Sequence, residues 1–286
     1  YKGREENLLK DINLEIKKEE FIAVIGHTGS GKSTLIQHLN GLIKPTSGTI
    51  YFDDEDIYSE GYPLRELRGK VGICFQYPEH QLFETTILDD VCFGPMNFGK
   101  TKEEATEIAV KCLKDVGLSE KLYQKSPFEL SGGQKRRVAI AGILAMEPEY
   151  FILDEPTAGL DPNERIRFRN LISELSEDRL VLLSTHIVSD IEYIANEIWL
   201  MKDGEVLHKG SIEELINSMT ETVWECFVPK NRVSGFMEKY KISNMKSEIN
   251  QVMLRIISHE KPVENAMRVE ASLEDVFLYY FGERVG

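Results

Sequence analysis

The chain has 286 residues, of which 42% are apolar, enough for one large domain or one domain with an appendage and too many for a disordered chain. Its 34 basic and 48 acidic side chains give a formal net charge of −14, which argues against bulk electrostatic binding to nucleic acid. No apolar run reaches the roughly 18 residues of a membrane-spanning helix, and four cysteines without a CxxC pair disfavour a metal or disulfide framework.

Short apolar runs separated by helical patterns predict a largely parallel β-sheet with covered faces. The first run, Phe21–Ile25, ends at a glycine-rich loop, and a helical pattern follows the loop. Further strands are predicted at residues 71–75, 150–153, 180–183 and 198–201. A shorter extended pattern covers residues 49–52, and the four acidic residues 53–56 after it are expected to form a solvated turn rather than an ion site.

A helix is predicted between the strands. Thr101 and Glu104 form the ends of a capping box that predicts the start of this helix, and Gly117 predicts its end.

The distribution of charge suggests how the chain is divided into domains. Residues 217–286 carry nine basic and ten acidic side chains, so almost all of the negative charge lies before them. We therefore expect one domain over residues 1–216 and a small α+β accessory domain over residues 217–286, ending in a helix near residues 272–281.

The loop after the first strand has the pattern G-x-x-x-x-G-K-[ST]. It reads Gly26-His27-Thr28-Gly29-Ser30-Gly31-Lys32-Ser33 and is followed by Thr34. Backbone N–H groups of such a loop can curl around phosphate oxygens, and the dipole of the next helix favours negative charge. Lys32 is expected to reach the β- and γ-phosphates of a nucleotide, and the Ser33 hydroxyl to ligate Mg²⁺.

Two adjacent carboxylates, Asp154 and Glu155, follow the apolar run at residues 150–153. Because side chains alternate along a strand, the two are expected to serve different purposes. Asp154 is placed to hold the Mg²⁺ shell, and Glu155 to accept the proton of an attacking water. Such a pair at a strand end is ordinarily only a solvated turn, but the phosphate loop in the same chain favours the catalytic hypothesis.

A second glycine-rich segment, Leu130-Ser131-Gly132-Gly133-Gln134, precedes a helical run over residues 135–146. Its place before a helix N-terminus predicts a second anion-binding site. A helix cap would explain Ser131, but we do not expect it to explain the two glycines together with Gln134.

Together these motifs resemble those of the ATP-binding-cassette (ABC) family over residues 1 to about 215. The phosphate loop matches Walker A, residues 130–134 the LSGGQ signature, residues 152–156 Walker B and residues 158–161 the D-loop. Gln76 resembles the Q-loop glutamine, and His186 the switch histidine. The resemblance implies catalytic roles for Glu155, His186 and Gln76. It also implies ATP binding by residues 26–34 and 131–134, and Mg²⁺ ligation by Ser33, Gln76 and Asp154.

The resemblance further implies a fold and an assembly. The fold is the α/β P-loop NTPase cassette, with a parallel core and an antiparallel β element around residues 8–25 and 49–52. A helical subdomain near residues 78–147 carries the signature. The signature cannot reach Walker A of its own chain in such a fold, so two cassettes, identical or different, pair head to tail around two ATP molecules. An integral-membrane transporter subunit follows their motion. A peripheral position on the cytoplasmic face of the cell membrane is implied, with no nucleic-acid partner.

Within the family, the chain resembles two subfamilies. Residues 1–160 resemble the ATPases of energy-coupling factor (ECF) importers for vitamins and transition metals, in the segments at 25–31, 36–42, 75–83 and 138–142. Segments at 164–170, 184–190 and 271–278 resemble the ATPases of drug or peptide exporters. A natural or engineered hybrid would join within residues 153–162, and a single divergent lineage is the alternative. The leading function is ECF-type import, and the second is an exporter ATPase.

Two expectations concern contacts outside the phosphate site. Apolar and aromatic side chains after Gln76 are more frequent than a loop needs, which predicts a docking surface for the membrane subunit. Its members are Tyr77, His80, Leu82, Phe83 and Phe93. The alternative is that they pack beneath the helical subdomain. Tyr1 stands 25 residues before Gly26, where family members place an adenine-stacking aromatic, but the strand that usually precedes this residue is absent.

Overall fold

A computed structural model describes residues 8–17, 20–177 and 179–282. Its strands in chain order are β1 (Phe21–Ile25), β2 (Tyr51–Phe52), β3 (Glu55–Asp56), β4 (Val71–Cys74), β5 (Tyr150–Asp154), β6 (Leu180–Thr185), β7 (Glu197–Lys202), β8 (Glu205–Gly210), β9 (Thr222–Pro229), β10 (Lys241–Ser247), β11 (Gln251–Ser258) and β12 (Met267–Val269). Its α-helices are α1 (Lys32–Leu39), α2 (Leu64–Lys70), α3 (Ile87–Asn97), α4 (Lys102–Asp115), α5 (Gly132–Leu144), α6 (Pro162–Leu175), α7 (Ile212–Asn217), α8 (Val233–Lys239) and α9 (Leu273–Phe281). Tyr1, which stands at the distance of the family's adenine-stacking aromatic but lacks the strand before it, lies outside the described residues.

The main sheet has six strands in the order β4-β5-β6-β1-β7-β8. The first five run parallel, and β8 is antiparallel to β7. All five residues of β1 are buried, as expected for an uninterrupted apolar strand covered on both faces. The strands predicted at residues 71–75, 150–153, 180–183 and 198–201 are confirmed, with β4 ending one residue early at Cys74.

The parallel strands bring the predicted motifs to one edge of this sheet. β1, β4, β5 and β6 share a direction, so their carboxyl ends meet at the same edge. The phosphate loop follows β1, Gln76 follows β4, Asp154 ends β5 and His186 follows β6. Ligands of open α/β sheets bind at this edge.

The antiparallel β element predicted around residues 8–25 and 49–52 is placed differently. Residues 8–17 form no strand, and β1 lies inside the parallel sheet between β6 and β7, because its apolar side chains point to both faces. β2 pairs instead with β3 in a short hairpin. The hairpin turn is formed by Asp53 and Asp54 in left-handed conformations, with φ values of 48° and 66°.

The chain between β4 and β5 contains helices α3, α4 and α5, which pack against one another. The predicted capping box is present at the start of α4, where Thr101 and Glu104 cap each other's backbone N–H groups. A close approach occurs at Gly94, where an added Cβ would lie 2.8 Å from Met146 Cγ. Within the part of the chain that the structure describes, no helix has both the length and the apolar character needed to cross a bilayer.

Residues 222–269 contribute a second, antiparallel sheet in the order β10-β11-β9-β12. Its inner face, including Cys226 and Leu254, packs against α8. The helix expected near residues 272–281 is present as α9, which packs on the main core through Val276. Arg255 of β11 pairs with Asp275 at the start of α9 at 2.7 Å. Burial raises the pKa of Asp275, but hydrogen bonds from Arg255, Ser243 and Ser272 together outweigh this effect and lower that pKa.

Candidate active site

The phosphate loop depends on backbone conformations and close contacts that favour glycine. Gly29 and Gly31 have left-handed φ values of 86° and 106°. A Cβ at Gly26 would lie 2.2 Å from the carbonyl oxygen of Met201, whereas one at Gly29 would meet no atom within 4 Å. The loop is therefore tightly packed on the sheet side and open on the other, as a phosphate cradle needs to be.

Lys32 is buried within the loop that precedes it, with only 3% of its side chain exposed. Its ammonium donates hydrogen bonds to the carbonyl oxygens of Gly26 at 2.8 Å and His27 at 3.1 Å. It also lies 3.3 Å from Glu155 Oε1. A buried cation needs such partners, and they hold the ammonium between the loop carbonyls and the Glu155 carboxylate.

The N-terminus of α1 is arranged to receive an anion. Its N-cap residue is Gly31, and among the described residues no side chain accepts a hydrogen bond at this helix end. The first turn also contains no acidic residue, so its N–H donors and partial positive charge face no competing carboxylate within the helix. Ser33 is exposed in this turn and Thr34 is half-buried, which fits a nucleotide phosphate with its Mg²⁺.

Three of the predicted site residues converge on Glu155. Oε2 of this carboxylate accepts hydrogen bonds from Gln76 Nε2 at 3.4 Å and from His186 Nδ1 at 3.1 Å, while Oε1 faces Lys32. Because a carboxylate only accepts hydrogen bonds, His186 donates through Nδ1. Glu155 has a left-handed φ of 46°, and its N–H donates to the carbonyl oxygen of Ser184 at 3.1 Å. Strained backbone of this kind is concentrated at functional sites.

Asp154 is buried beside Glu155 and accepts a hydrogen bond from Ser184 Oγ at 2.6 Å. Among the described residues there is no group of three or more His, Cys, Asp or Glu side chains that could hold a metal alone. Mg²⁺ commonly takes only one or two protein carboxylates and completes its shell with phosphates and water. A set of Ser33, Asp154 and Gln76 fits that ion, because it offers a few oxygen ligands and one carboxylate.

Ser131 and Gln134 of the signature segment form a capping box at the start of α5. Ser131 Oγ accepts the N–H of Gln134 at 3.3 Å, and Gln134 Oε1 accepts the N–H of Ser131 at 3.0 Å. The expectation that a helix cap does not explain Gln134 is therefore wrong, because its amide is long enough to reach back to the cap residue. The box uses neither the N–H of Gly132 nor that of Gly133, which stand at the first two helical positions.

Arg136 was missed by sequence reasoning, although it lies directly after the signature. Its guanidinium is buried and donates to the carbonyl oxygens of Pro156 at 2.8 Å, Ala158 at 3.0 Å and Gln76 at 3.3 Å. One side chain of α5 thereby joins the backbone that follows Glu155 to the backbone at Gln76. The available signal was a cluster of three basic residues, 135–137, directly before an apolar run.

Asp190 was missed as well. This buried carboxylate accepts hydrogen bonds from Thr157 Oγ1 at 2.5 Å and Arg165 at 2.7 Å. It thus joins the turn after His186 to the segment after Glu155. The D-loop ends in Asp161, which caps α6.

The predicted docking surface is only partly exposed. Tyr77, His80, Phe83 and Phe93 are exposed, and the rings of Phe83 and Phe93 meet edge to face at 4.8 Å. Leu82 is buried in the main core, so its inclusion in this surface is wrong. Residues 78–81 form a 3-10 turn, and Leu82 then turns inward beneath the helices.

The sequence matches the ABC transporter family over residues 9–158. The energy-coupling factor transporter ATP-binding protein EcfA2 of Lactococcus lactis subsp. lactis is 51% identical over 214 residues, which cover 74% of each chain. EcfA2 of Bacillus subtilis is 54% identical over 211 residues, covering 72% of this chain and 76% of the relative. The chain belongs to the ABC transporter family. Within that family, its similarity to these two proteins places it among the energy-coupling factor ATP-binding proteins.

Solved structures confirm the cassette fold. cbiO1 from Clostridium perfringens, part of the ABC transporter complex cbiONQ, superposes with a TM-score of 0.67 at 39% identity, covering 74% of this chain and 84% of that one. The ATP-binding cassette MJ0796, in a dimeric post-hydrolysis state with ADP and Pi, gives a TM-score of 0.66 at 35% identity, covering 74% and 94%. The prediction of an α/β P-loop NTPase cassette is confirmed.

The exporter-like half of the sequence hypothesis gains no support from these relatives. An alignment of 214 residues must extend well past Leu160 even if it begins at residue 1. The similarity to energy-coupling factor proteins therefore continues through the point at which a hybrid would change character.

Proposed function

We propose that this chain is the ATP-hydrolysing subunit of an energy-coupling factor transporter. The observation that carries the proposal is the convergence of Lys32, Gln76 and His186 on the Glu155 carboxylate, beside the helix end that is open to an anion. From the resemblance to importers of vitamins and transition-metal ions, we infer that the whole transporter imports a substrate of one of these two classes. The continuous similarity to EcfA2 proteins favours a single lineage over a hybrid.

ATP binds through its phosphates to the loop from Gly26 to Ser33 and to the first turn of α1. The Lys32 ammonium shifts part of its hydrogen bonding from the loop carbonyls to the β- and γ-phosphates. Mg²⁺ would be held by Ser33, Asp154 and Gln76. When bound, this ion would neutralise part of the phosphate charge.

Glu155 acts as the general base for the attacking water. Its Oε2 is held by Gln76 and His186, so this pair orients the carboxylate. Its Oε1 faces Lys32, and it becomes available to accept the proton of the water as Lys32 turns to the phosphates. Ser184 fixes both Asp154 and Glu155. The Ser184 hydroxyl donates to the Asp154 carboxylate, and the Ser184 carbonyl oxygen accepts the N–H of Glu155.

The active assembly is a head-to-tail pair of cassettes, with either an identical or a related second chain. Ser131 and the free N–H groups of Gly132 and Gly133 bind the γ-phosphate of the ATP held by the partner. We assign residues 1–216 to the cassette and residues 217–286 to an accessory domain. The separate antiparallel sheet of β9–β12 supports this division.

The membrane partner docks on the exposed aromatic surface formed by Tyr77, His80, Phe83 and Phe93. A pair of exposed phenylalanines in edge-to-face contact is the kind of anchor that protein interfaces use. The chain is accordingly a peripheral protein on the cytoplasmic face of the membrane. Co-expression with an energy-coupling factor transmembrane component and with an exporter permease tests this part, since capture by the permease alone contradicts it.

The substitution Glu155→Gln tests the chemistry. It keeps the shape of the side chain but removes the proton acceptor, so ATP turnover should fall by about 10²- to 10⁴-fold while ATP still binds. Phosphate release and isothermal titration measure the two quantities. Glu107→Gln, which neutralises an exposed carboxylate on α4, is the matched control and should leave turnover unchanged. Normal hydrolysis by Glu155→Gln would contradict the assignment.

A further inference from the structure

The last turn of α9 reaches the phosphate loop. The rings of Phe281 and His27 meet edge to face, with centroids 5.7 Å apart and planes at 78°. Phe281 also contacts Phe277 of the same helix at 4.6 Å, and both rings pack against the main core. The terminal helix of the accessory segment therefore touches the second residue of the phosphate loop.

The turn between β7 and β8 holds both partners of this contact. Lys202 Nζ donates to the carbonyl oxygen of Tyr280 at 3.0 Å, which places a cation at the negative end of α9. The N–H of Gly204 donates to the carbonyl oxygen of Ser30 at 2.9 Å, and Asp203 lies 3.9 Å from His27 Nε2. The C-terminal end of α9 and the phosphate loop are thus both held by the turn between β7 and β8.

His27 in turn orients Lys32 through its backbone carbonyl oxygen. Its carbonyl oxygen accepts Lys32 Nζ at 3.1 Å and the N–H of Ser30 at 3.1 Å. A rotation of the His27 residue would move this oxygen and, with it, the ammonium that faces the phosphates. The His27 side chain is 42% exposed, so packing from other elements does not fully fix it.

We propose that Phe281 is a positioning residue for ATP: its ring fixes His27 and thereby the carbonyl oxygen that directs Lys32 toward the nucleotide phosphates. The inference rests on the proposed function in one respect, that this loop binds ATP. It makes α9 part of the nucleotide site, although the helix lies at the far end of the chain and carries none of the motifs.

A double-mutant cycle on the full chain tests the coupling. Phe281→Ala and His27→Ala should each weaken MgATP binding by about 2- to 10-fold, the worth of one edge-to-face ring pair. The MgATP affinity of the double variant should be no lower than that of the single variant with the lower affinity, because both substitutions remove the same contact. Isothermal titration gives the affinities. In ATPase assays KM should rise while kcat stays within about twofold, since the contact acts on binding.

Two further variants separate positioning from general loosening of the helix. Phe281→Tyr retains the ring and should keep affinity within about twofold of the wild type. Tyr279→Ala removes another aromatic from α9, whose side chain contacts Thr220, Lys241 and Tyr280 instead of the loop, and should leave affinity unchanged.

Additive losses in the double variant, or an equal loss in Tyr279→Ala, would overturn the inference while leaving ATP binding by the wild type intact. Absence of ATP binding by the wild-type chain would instead overturn the proposed function, so the two failures are distinguishable. His27→Ala also reports on the contact if Phe281→Ala does not fold, because His27 lies in an exposed loop.

Discussion

The two glycine-containing helix starts of this chain look alike in sequence and differ in structure. At α1, Gly31 has a left-handed φ of 106° and, within the described residues, no side chain caps the helix. At α5, Ser131 and Gln134 cap each other in a complete capping box. The first helix end leaves its donors to a ligand, whereas the second satisfies half of its own donors and keeps two N–H groups outward. A glycine-rich start therefore does not by itself define an anion site; the cap decides how much of it is available.

This difference assigns the two segments to different partners. The open loop before α1 contains its own cation, Lys32, and lies at the sheet edge with Glu155. The first helical position, which Lys32 occupies in α1, is Gly132 in α5, and the nearest side chain to Gly133 is the carboxylate of Glu164, 2.7 Å from where a Cβ would stand. We therefore predict that the loop binds ATP within one chain and that the signature acts only on the ATP of a partner.

Substitution of Lys32 should produce the largest change in binding. Lys32→Ala removes the charged donor of the open loop, so MgATP affinity should fall by about 10- to 100-fold, the worth of a charge-assisted hydrogen bond. Isothermal titration measures the loss. Lys135→Ala, which removes a half-buried charge near the signature, is the matched control. Unchanged affinity in Lys32→Ala would show that the open loop is not the phosphate site.

Ser131→Ala should separate binding from turnover. A single chain should still bind ATP normally, but turnover should fall by about tenfold because the partner's phosphate loses a hydroxyl donor. Loss of the cap should also lower the free energy of unfolding by about 1 kcal/mol. Thr101→Ala removes the same kind of cap from α4 and should cost similar stability without the loss of turnover. Equal turnover losses in both variants would mean that stability alone explains the effect.

The Gln134→Glu variant should give the smallest and most selective change. Glutamate completes a capping box as well as glutamine, so the free energy of unfolding should change by less than about 1 kcal/mol. The added negative charge faces the partner's nucleotide, so ATP-dependent pairing of the cassettes should weaken by several-fold, about 1 kcal/mol of repulsion. Thermal unfolding and size-exclusion chromatography with ATP measure the two effects. Stronger pairing in the variant would contradict the account.

The sequence could predict those features that depend on uninterrupted patterns. The buried parallel strands are continuous apolar runs, and the phosphate loop is a fixed spacing of glycines before a lysine. The meeting of Gln76 and His186 at Glu155 followed only from the resemblance, because residues from three separate strand ends have no local pattern in common.

Three features were not predictable because they depend on tertiary contacts. Arg136 lies among three consecutive basic residues and Ser184 follows an apolar run, and only the fold shows that each satisfies polar groups of the site. Leu82 belongs to an exposed-looking loop, yet the 3-10 turn before it directs the side chain into the core. The contact between Phe281 and His27 joins opposite ends of the chain, and nothing near either residue signals it.

Mixing two impaired variants, at an ATP concentration that saturates the wild-type site but not the Lys32→Ala site, tests the central claim most directly. In a head-to-tail pair, a Lys32→Ala chain and a Ser131→Ala chain together form one site with both substitutions and one site with neither. Random pairing of equal amounts makes half of the pairs mixed, so the mixture should recover about a quarter of the wild-type ATPase activity. Each variant alone should remain well below that value. Activity of the mixture equal to the mean of the two separate variants would show that the signature does not act on the ATP of the partner.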